Sequence, residues 1–104
     1  MQLVTRPQFY LDVAEEVEYL ARKAGAETAQ RWSEAVDRTV ETLLRHPKLG
    51  RTRHDLRPDG IRSWRVKRFS RWLVFFRVRE EEKALVLLRV RSGTMNLVVL
   101  EMES

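Results

Sequence analysis

Three apolar runs packed between Gly60 and Gly93 constrain this chain most. They are Arg62–Arg68, Trp72–Arg79 and Ala84–Arg91, and each is rich in aromatic and β-branched residues. Runs of that composition, bounded by turn-forming residues, read as β-strands. A turn signal, Arg57-Pro58-Asp59-Gly60, opens the series. Phe69–Arg71 breaks the first run from the second, and the tight polar loop Glu80-Glu81-Glu82-Lys83 joins the second to the third. Breaks this short allow only antiparallel neighbours. In the first run Trp64 and Val66 fall on one face, and Ser63, Arg65 and Lys67 on the other. The later two runs are more continuously apolar, as expected of central strands covered on at least one face. A sheet of this kind needs another layer against it.

The first half of the chain supplies that layer. Phe9, Val13, Val17 and Leu20 recur at helical spacing, flanked by Tyr10, Ala14 and Ala21. Thr5 is expected to cap this helix and Pro7 suits its first turn, where a missing N–H costs nothing. Arg22 and Lys23 complement the helix dipole at the other end, and Gly25 stops the helix. A second, longer helix begins near Ala26. Its buried stripe is Ala29, Trp32, Val36, Val40 and Leu43, broadened by Ala35 and Leu44, and Pro47 ends it. Trp32, at this spacing among aliphatic neighbours, reads as core. The break at Lys23–Ala26 makes the pair an antiparallel hairpin. Gln2-Leu3-Val4 reads as an edge strand, and Lys48–Asp59 as a loop. Residues 1–104 thus form a single α+β domain, a helix hairpin packed on a small, mainly antiparallel sheet.

Charge is distributed unevenly. The formal net charge is +5, but residues 51–79 carry 10 basic side chains against Asp55 and Asp59, while residues 1–50 net −1 and residues 80–104 net −2. Such a localised positive field favours a polyanion or an acidic protein as partner. The absence of cysteine excludes disulfides and thiolate zinc sites. With only His46 and His54 besides the carboxylates, no metal site and no cofactor are expected. No apolar run approaches the roughly 20 residues of a membrane helix, and no signal-peptide pattern opens the chain, so a cytoplasmic location is expected.

The order of these elements resembles the RelE/ParE superfamily of bacterial toxins. The matching features are Leu43-Leu44-Arg45-His46-Pro47-Lys48-Leu49-Gly50 at the end of the second helix, the Gly60-Ile61-Arg62 lead into the sheet, Trp72-Leu73-Val74-Phe75-Phe76-Arg77-Val78, and Leu87-Leu88-Arg89-Val90-Arg91-Ser92-Gly93. The resemblance implies a toxin of a type II toxin–antitoxin module, complexed as a hetero-oligomer with a cognate antitoxin. It implies one of two targets. The RelE-like branch enters the ribosome and cuts mRNA, which needs a base, an acid and cations for the phosphorane charge. An ungapped placement puts Trp64, Val66, Leu73 and Met95 at that branch's functional positions, and none can move a proton. A slip of one residue would substitute Arg65 and Lys67. The ParE-like branch, which poisons DNA gyrase without chemistry of its own, is the better resemblance: Arg77-Val78 and Arg89-Val90 are kept, although the His and Arg common in that branch are replaced by Ser92 and Met95.

The expected function is therefore gyrase inhibition. The alternatives are a ribosome-dependent mRNA endonuclease, or an inactive or nucleic-acid-binding remnant. No catalytic residue is assigned. His54 reads as an exposed loop residue, His46 as a partner of the helix dipole, and Asp55 with Asp59 as turn residues. Arg62, Arg65, Lys67 and Arg68 are the expected target contacts, with phosphate or acidic protein as the counterpart. Arg77 and Arg89 can serve either target binding or ion pairing to the helices. The final apolar segment, through Leu97, Val99, Leu100 and Met102, is the expected antitoxin contact, with strand addition at a sheet edge as the other docking mode.

Overall fold

The computed structural model describes residues 1–93. Its elements are β1 (Gln2–Thr5), α1 (Pro7–Ala24), α2 (Ala26–Arg45), β2 (Arg51–Thr52), β3 (Arg62–Val66), β4 (Phe69–Arg79) and β5 (Ala84–Ser92). They form a five-stranded sheet in the order β1-β5-β4-β3-β2. All neighbours are antiparallel except β1 and β5, which run parallel from Gln2 opposite Ala84 to Thr5 opposite Leu87.

Pro7 stands in the first turn of α1 as expected, but Thr5 is not the cap. Thr5 stays in the ladder with β5, and Arg6, in extended backbone without a side-chain cap bond, takes the cap position. The Arg6 N–H donates to the Leu87 carbonyl at 3.0 Å, so pairing with β5 continues up to the helix and outcompetes the local cap. Gly25 joins α1 to α2 with φ +97°, a left-handed conformation that glycine adopts without steric cost. The buried stripe of α2 comprises Ala29, Trp32, Ala35, Val36, Val40 and Leu43, joined by Thr39.

Both helices cover one face of the sheet. Trp32, Leu43, Val66, Val74, Phe76 and Leu85 are fully buried within that layer. The opposite face is covered as well, by the segment preceding β3. Leu56 and Ile61 fold back over Phe75, Val86 and Leu88 to form a second cluster. This second covering explains why β5 is apolar at consecutive positions rather than at alternate ones.

Two irregularities in the ladder re-aim side chains, as bulges do. Phe75 and Phe76 lie opposite Arg89 and Leu87, leaving Leu88 as the extra residue. Arg65 and Val66 lie opposite Leu73 and Phe69, so Ser70, Arg71 and Trp72 fall between consecutive partners. The expected break at Phe69–Arg71 is thus corrected: these residues belong to β4, where Trp72 pairs with Ser92, and the actual turn is Lys67-Arg68. The segment Lys48–Asp59 is corrected too, since its Arg51 and Thr52 form β2 against Arg62 and Ser63.

A basic groove beside the β3–β4 hairpin as the candidate functional site

The β3–β4 hairpin is fixed against α2 by aromatic packing and one hydroxyl. Trp72 meets Trp32 edge-on with ring centroids 6.1 Å apart, and Phe69 meets Trp72 at 6.3 Å. Such pairs contribute on the order of 1 kcal/mol beyond their area burial. At the turn, the buried Thr39 hydroxyl accepts the Lys67 N–H at 3.1 Å and donates to the Ala35 carbonyl at 2.7 Å. Arg68 takes φ +69°, a left-handed backbone uncommon outside glycine. The turn therefore holds Lys67 and Arg68 close to the second helix.

Between α2 and the outer edge of β3 lies a groove of about 730 Å³, whose cations are Arg51, Arg53, Arg65, Lys67 and Arg68. Thr39, Thr42, Ser63 and Ser70 add hydroxyls to its wall, and no carboxylate lines it. Trp64 also borders the groove, and 37% of its surface is exposed. β2 pairs only with Arg62 and Ser63, so the β3 edge is unpaired from Trp64 onward among the described residues.

The basic residues fall into two groups. Some hold the protein's own structure. Arg62 donates to the carbonyls of Gly50 at 2.7 Å and Lys48 at 3.0 Å, and to the Thr52 hydroxyl at 3.2 Å. Arg53 lies over the Phe75 ring at 5.6 Å and grips Asp55 through Nε at 2.9 Å and Nη2 at 2.6 Å. That pairing holds the Asp55 carboxyl below the ordinary carboxylate range, the hydrogen bond from Arg53 being the main cause. Arg57 donates to the carbonyls of His54 and Leu56. By contrast Arg51, Arg65, Lys67 and Arg68 form no side-chain hydrogen bond or ion pair among the described residues, and all four are exposed. The structure thus brings Arg65, Lys67 and Arg68 together at one groove and sets the Arg62 guanidinium against backbone carbonyls instead. Sequence reasoning did not single out Arg51 or Trp64 for this surface. Arg51 reads as loop in the sequence, and only the β2 pairing brings it beside β3.

Arg89 has a structural partner. Its guanidinium meets Asp12 of α1 bidentately, Nε to Oδ2 at 2.7 Å and Nη2 to Oδ1 at 3.0 Å. The Val90 N–H donates to the same carboxylate at 3.1 Å, and Arg91 approaches it at 3.6 Å. Asp12 is buried, with 4% of its surface exposed. The one signal for it in the sequence is its place three residues after Phe9, inside the apolar stripe. Arg77 instead lies beside Gly60. His54 is exposed in its loop, and His46 forms the end of α2, its N–H bonded to the Thr42 carbonyl. No cluster of metal-ligating side chains occurs among the described residues. No helix among them is long and apolar enough to cross a membrane. Leu97, Val99, Leu100 and Met102 lie outside the described residues.

Comparison with solved structures finds the same fold in toxin–antitoxin systems. A chain of the chromosomal ParDE system from P. aeruginosa superposes with a TM-score of 0.73 at 21% identity, covering 88% of this chain and 95% of that one. A chain of the intact E. coli RelBE toxin–antitoxin complex gives 0.59 at 10% identity, covering 90% and 98%. No curated protein sequence matches. The family described as ParE toxin of type II toxin-antitoxin system, parDE, matches residues 3–97. That match runs from β1 through the whole helix hairpin and sheet, and the chain belongs to the ParE family of type II toxin–antitoxin toxins.

Proposed function

We propose that this toxin inhibits DNA gyrase in the bacterial cytoplasm by binding, without chemistry of its own, and that a cognate antitoxin neutralises it. The observation that carries the reading is the groove beside β3, where Arg51, Arg65, Lys67 and Arg68 form no side-chain ion pair among the described residues and no carboxylate is part of the lining. Cations left without internal partners are available to a target. Among the described residues the groove is lined by no His, Tyr, Asp or Glu, so it offers charge and hydroxyls rather than the acid and base that strand cleavage calls for. Family membership supports the toxin role and an antitoxin partner. Arg65, Lys67 and Arg68 are the target contacts in this reading. Arg62 supports them by fixing the segment that leads into β2. The antitoxin engages Leu97, Val99, Leu100 and Met102.

The test is gyrase supercoiling in vitro with purified toxin and with the double charge reversal Arg65→Glu/Lys67→Glu. Both side chains are exposed, so the fold should survive the change. The native chain should block supercoiling and the variant should not. Equal inhibition by a folded variant would remove the groove from the mechanism. Codon-specific cuts in ribosome-bound mRNA, with supercoiling intact, would replace the gyrase reading with the endonuclease one.

A further inference from the structure

We infer that the groove between α2 and β3 binds an unpaired nucleic-acid strand, its phosphates held by Arg65, Lys67 and Arg68 and one base stacked on Trp64. The inference takes the location of the surface from the gyrase reading and adds the chemistry of what that surface meets.

Four observations converge on it. First, the lining is strongly cationic: Arg53 is paired with Asp55, but Arg51, Arg65, Lys67 and Arg68 form no side-chain ion pair among the described residues, and no carboxylate lines the groove. Second, Trp64 exposes more than a third of its surface among these cations. Its cross-strand neighbour Val74 is fully buried, so the indole extends past the edge of the core rather than completing it. A base can stack on an indole whatever its sequence, and cations flanking the ring suit the backbone on either side. Third, the site is concave, at about 730 Å³. A duplex is read by an element that protrudes into its groove, whereas a recess with an aromatic wall admits a flexible single strand. Fourth, Ser70 places an exposed hydroxyl on the same lining, and hydroxyls are ordinary partners of phosphate and sugar oxygens.

An acidic peptide is the competing occupant, since it too would be drawn by the charge and could pair with the β3 edge. It would have no particular use for an exposed indole on the groove's lining, and for that reason the strand is favoured.

Fluorescence anisotropy tests this with purified toxin and three labelled probes: a 15-nucleotide oligodeoxythymidylate, the corresponding oligouridylate and a 15-bp DNA duplex. An unlabelled oligoglutamate peptide serves as competitor. Both single strands should bind more tightly than the duplex. Three or four phosphate contacts should give a log–log salt slope of roughly −2 to −3. Trp64→Ala should weaken single-strand binding about tenfold or more, and Trp64→Phe should restore part of it. Arg65→Ala should reduce the slope by about 0.7. Thermal melting of each variant separates lost binding from lost fold. Relative affinity for DNA and RNA identifies the natural strand. Equal binding of duplex and single strand, indifference to Trp64→Ala in a folded variant, or displacement by the peptide at lower concentration than by unlabelled strand would each overturn the inference. Loss of strand binding with gyrase inhibition intact would refute this inference alone. Strand binding with no effect on gyrase would refute the functional reading alone.

Discussion

Replacing Asp12 by alanine should be the most damaging single change on α1. The carboxylate accepts both arms of Arg89 and the Val90 N–H, and its side chain is only 1% exposed, against 12% for Arg89. Removing it leaves a largely buried guanidinium and a backbone N–H without their acceptor. Breaking a buried ion pair by deleting one partner costs about 3–5 kcal/mol. A domain of this size has only about 5–15 kcal/mol of stability in total. At about 5 °C per kcal/mol, the thermal midpoint should fall by ~15–25 °C, measured by circular dichroism on the purified chain. Desolvation of the stranded charge causes most of that cost. The double variant Asp12→Leu/Arg89→Met, which removes both charges, should therefore recover more than half of the loss. A shift below about 3 °C in Asp12→Ala would refute the assignment. A double variant no better than the single would refute the desolvation argument, leaving lost geometry at Val90 as the cause.

Two further outcomes follow from the geometry. Gly50→Ala would place a Cβ 2.5 Å from Cζ and 2.8 Å from Cε1 of the buried Phe76 ring; the overpacking should cost about 1–3 kcal/mol, read as an earlier urea midpoint with an unchanged slope. Arg53 holds the folded-state pKa of Asp55 below its ordinary value, so the pair's contribution is present above the unfolded pKa, about 3.9, and disappears as pH falls through the lower folded value. Asp55→Asn should thus be less stable than the native chain at pH 7, by a small margin because Asp55 is half exposed. The two should converge as pH falls through the lowered folded value, and an offset that does not shrink on acidification would contradict the pairing.

The layers of the fold were legible in the sequence because periodicity reports burial directly. Phe9 to Leu20 and Ala29 to Leu43 carried the helical period, and the strands carried their apolar runs. Features that depend on distant partners were not legible. Thr5 has the chemistry of a cap, but pairing with Leu87 decides its conformation. Asp12 reads as one more acid on a charged helix until β5 places Arg89 against it. Leu56 is a single apolar residue in a polar segment, and only the second sheet face explains it. At the candidate site, the charge excess of residues 51–79 covers every cation that lines the groove. Composition could not separate Arg65, Lys67 and Arg68, which line the groove without a side-chain partner among the described residues, from Arg53, Arg57 and Arg62, which satisfy carbonyls and a carboxylate of their own chain. That distinction arises from turns and a two-residue strand, and it appears only in three dimensions.

Gyrase inhibition is the central claim, and its most direct test in cells is pulse-labelling of DNA and protein synthesis in parallel after the toxin gene is induced in a bacterial host. DNA synthesis should fall first while translation continues. Early loss of translation with DNA synthesis sustained would contradict the account and turn attention to Arg65 and Lys67 as ribonuclease residues.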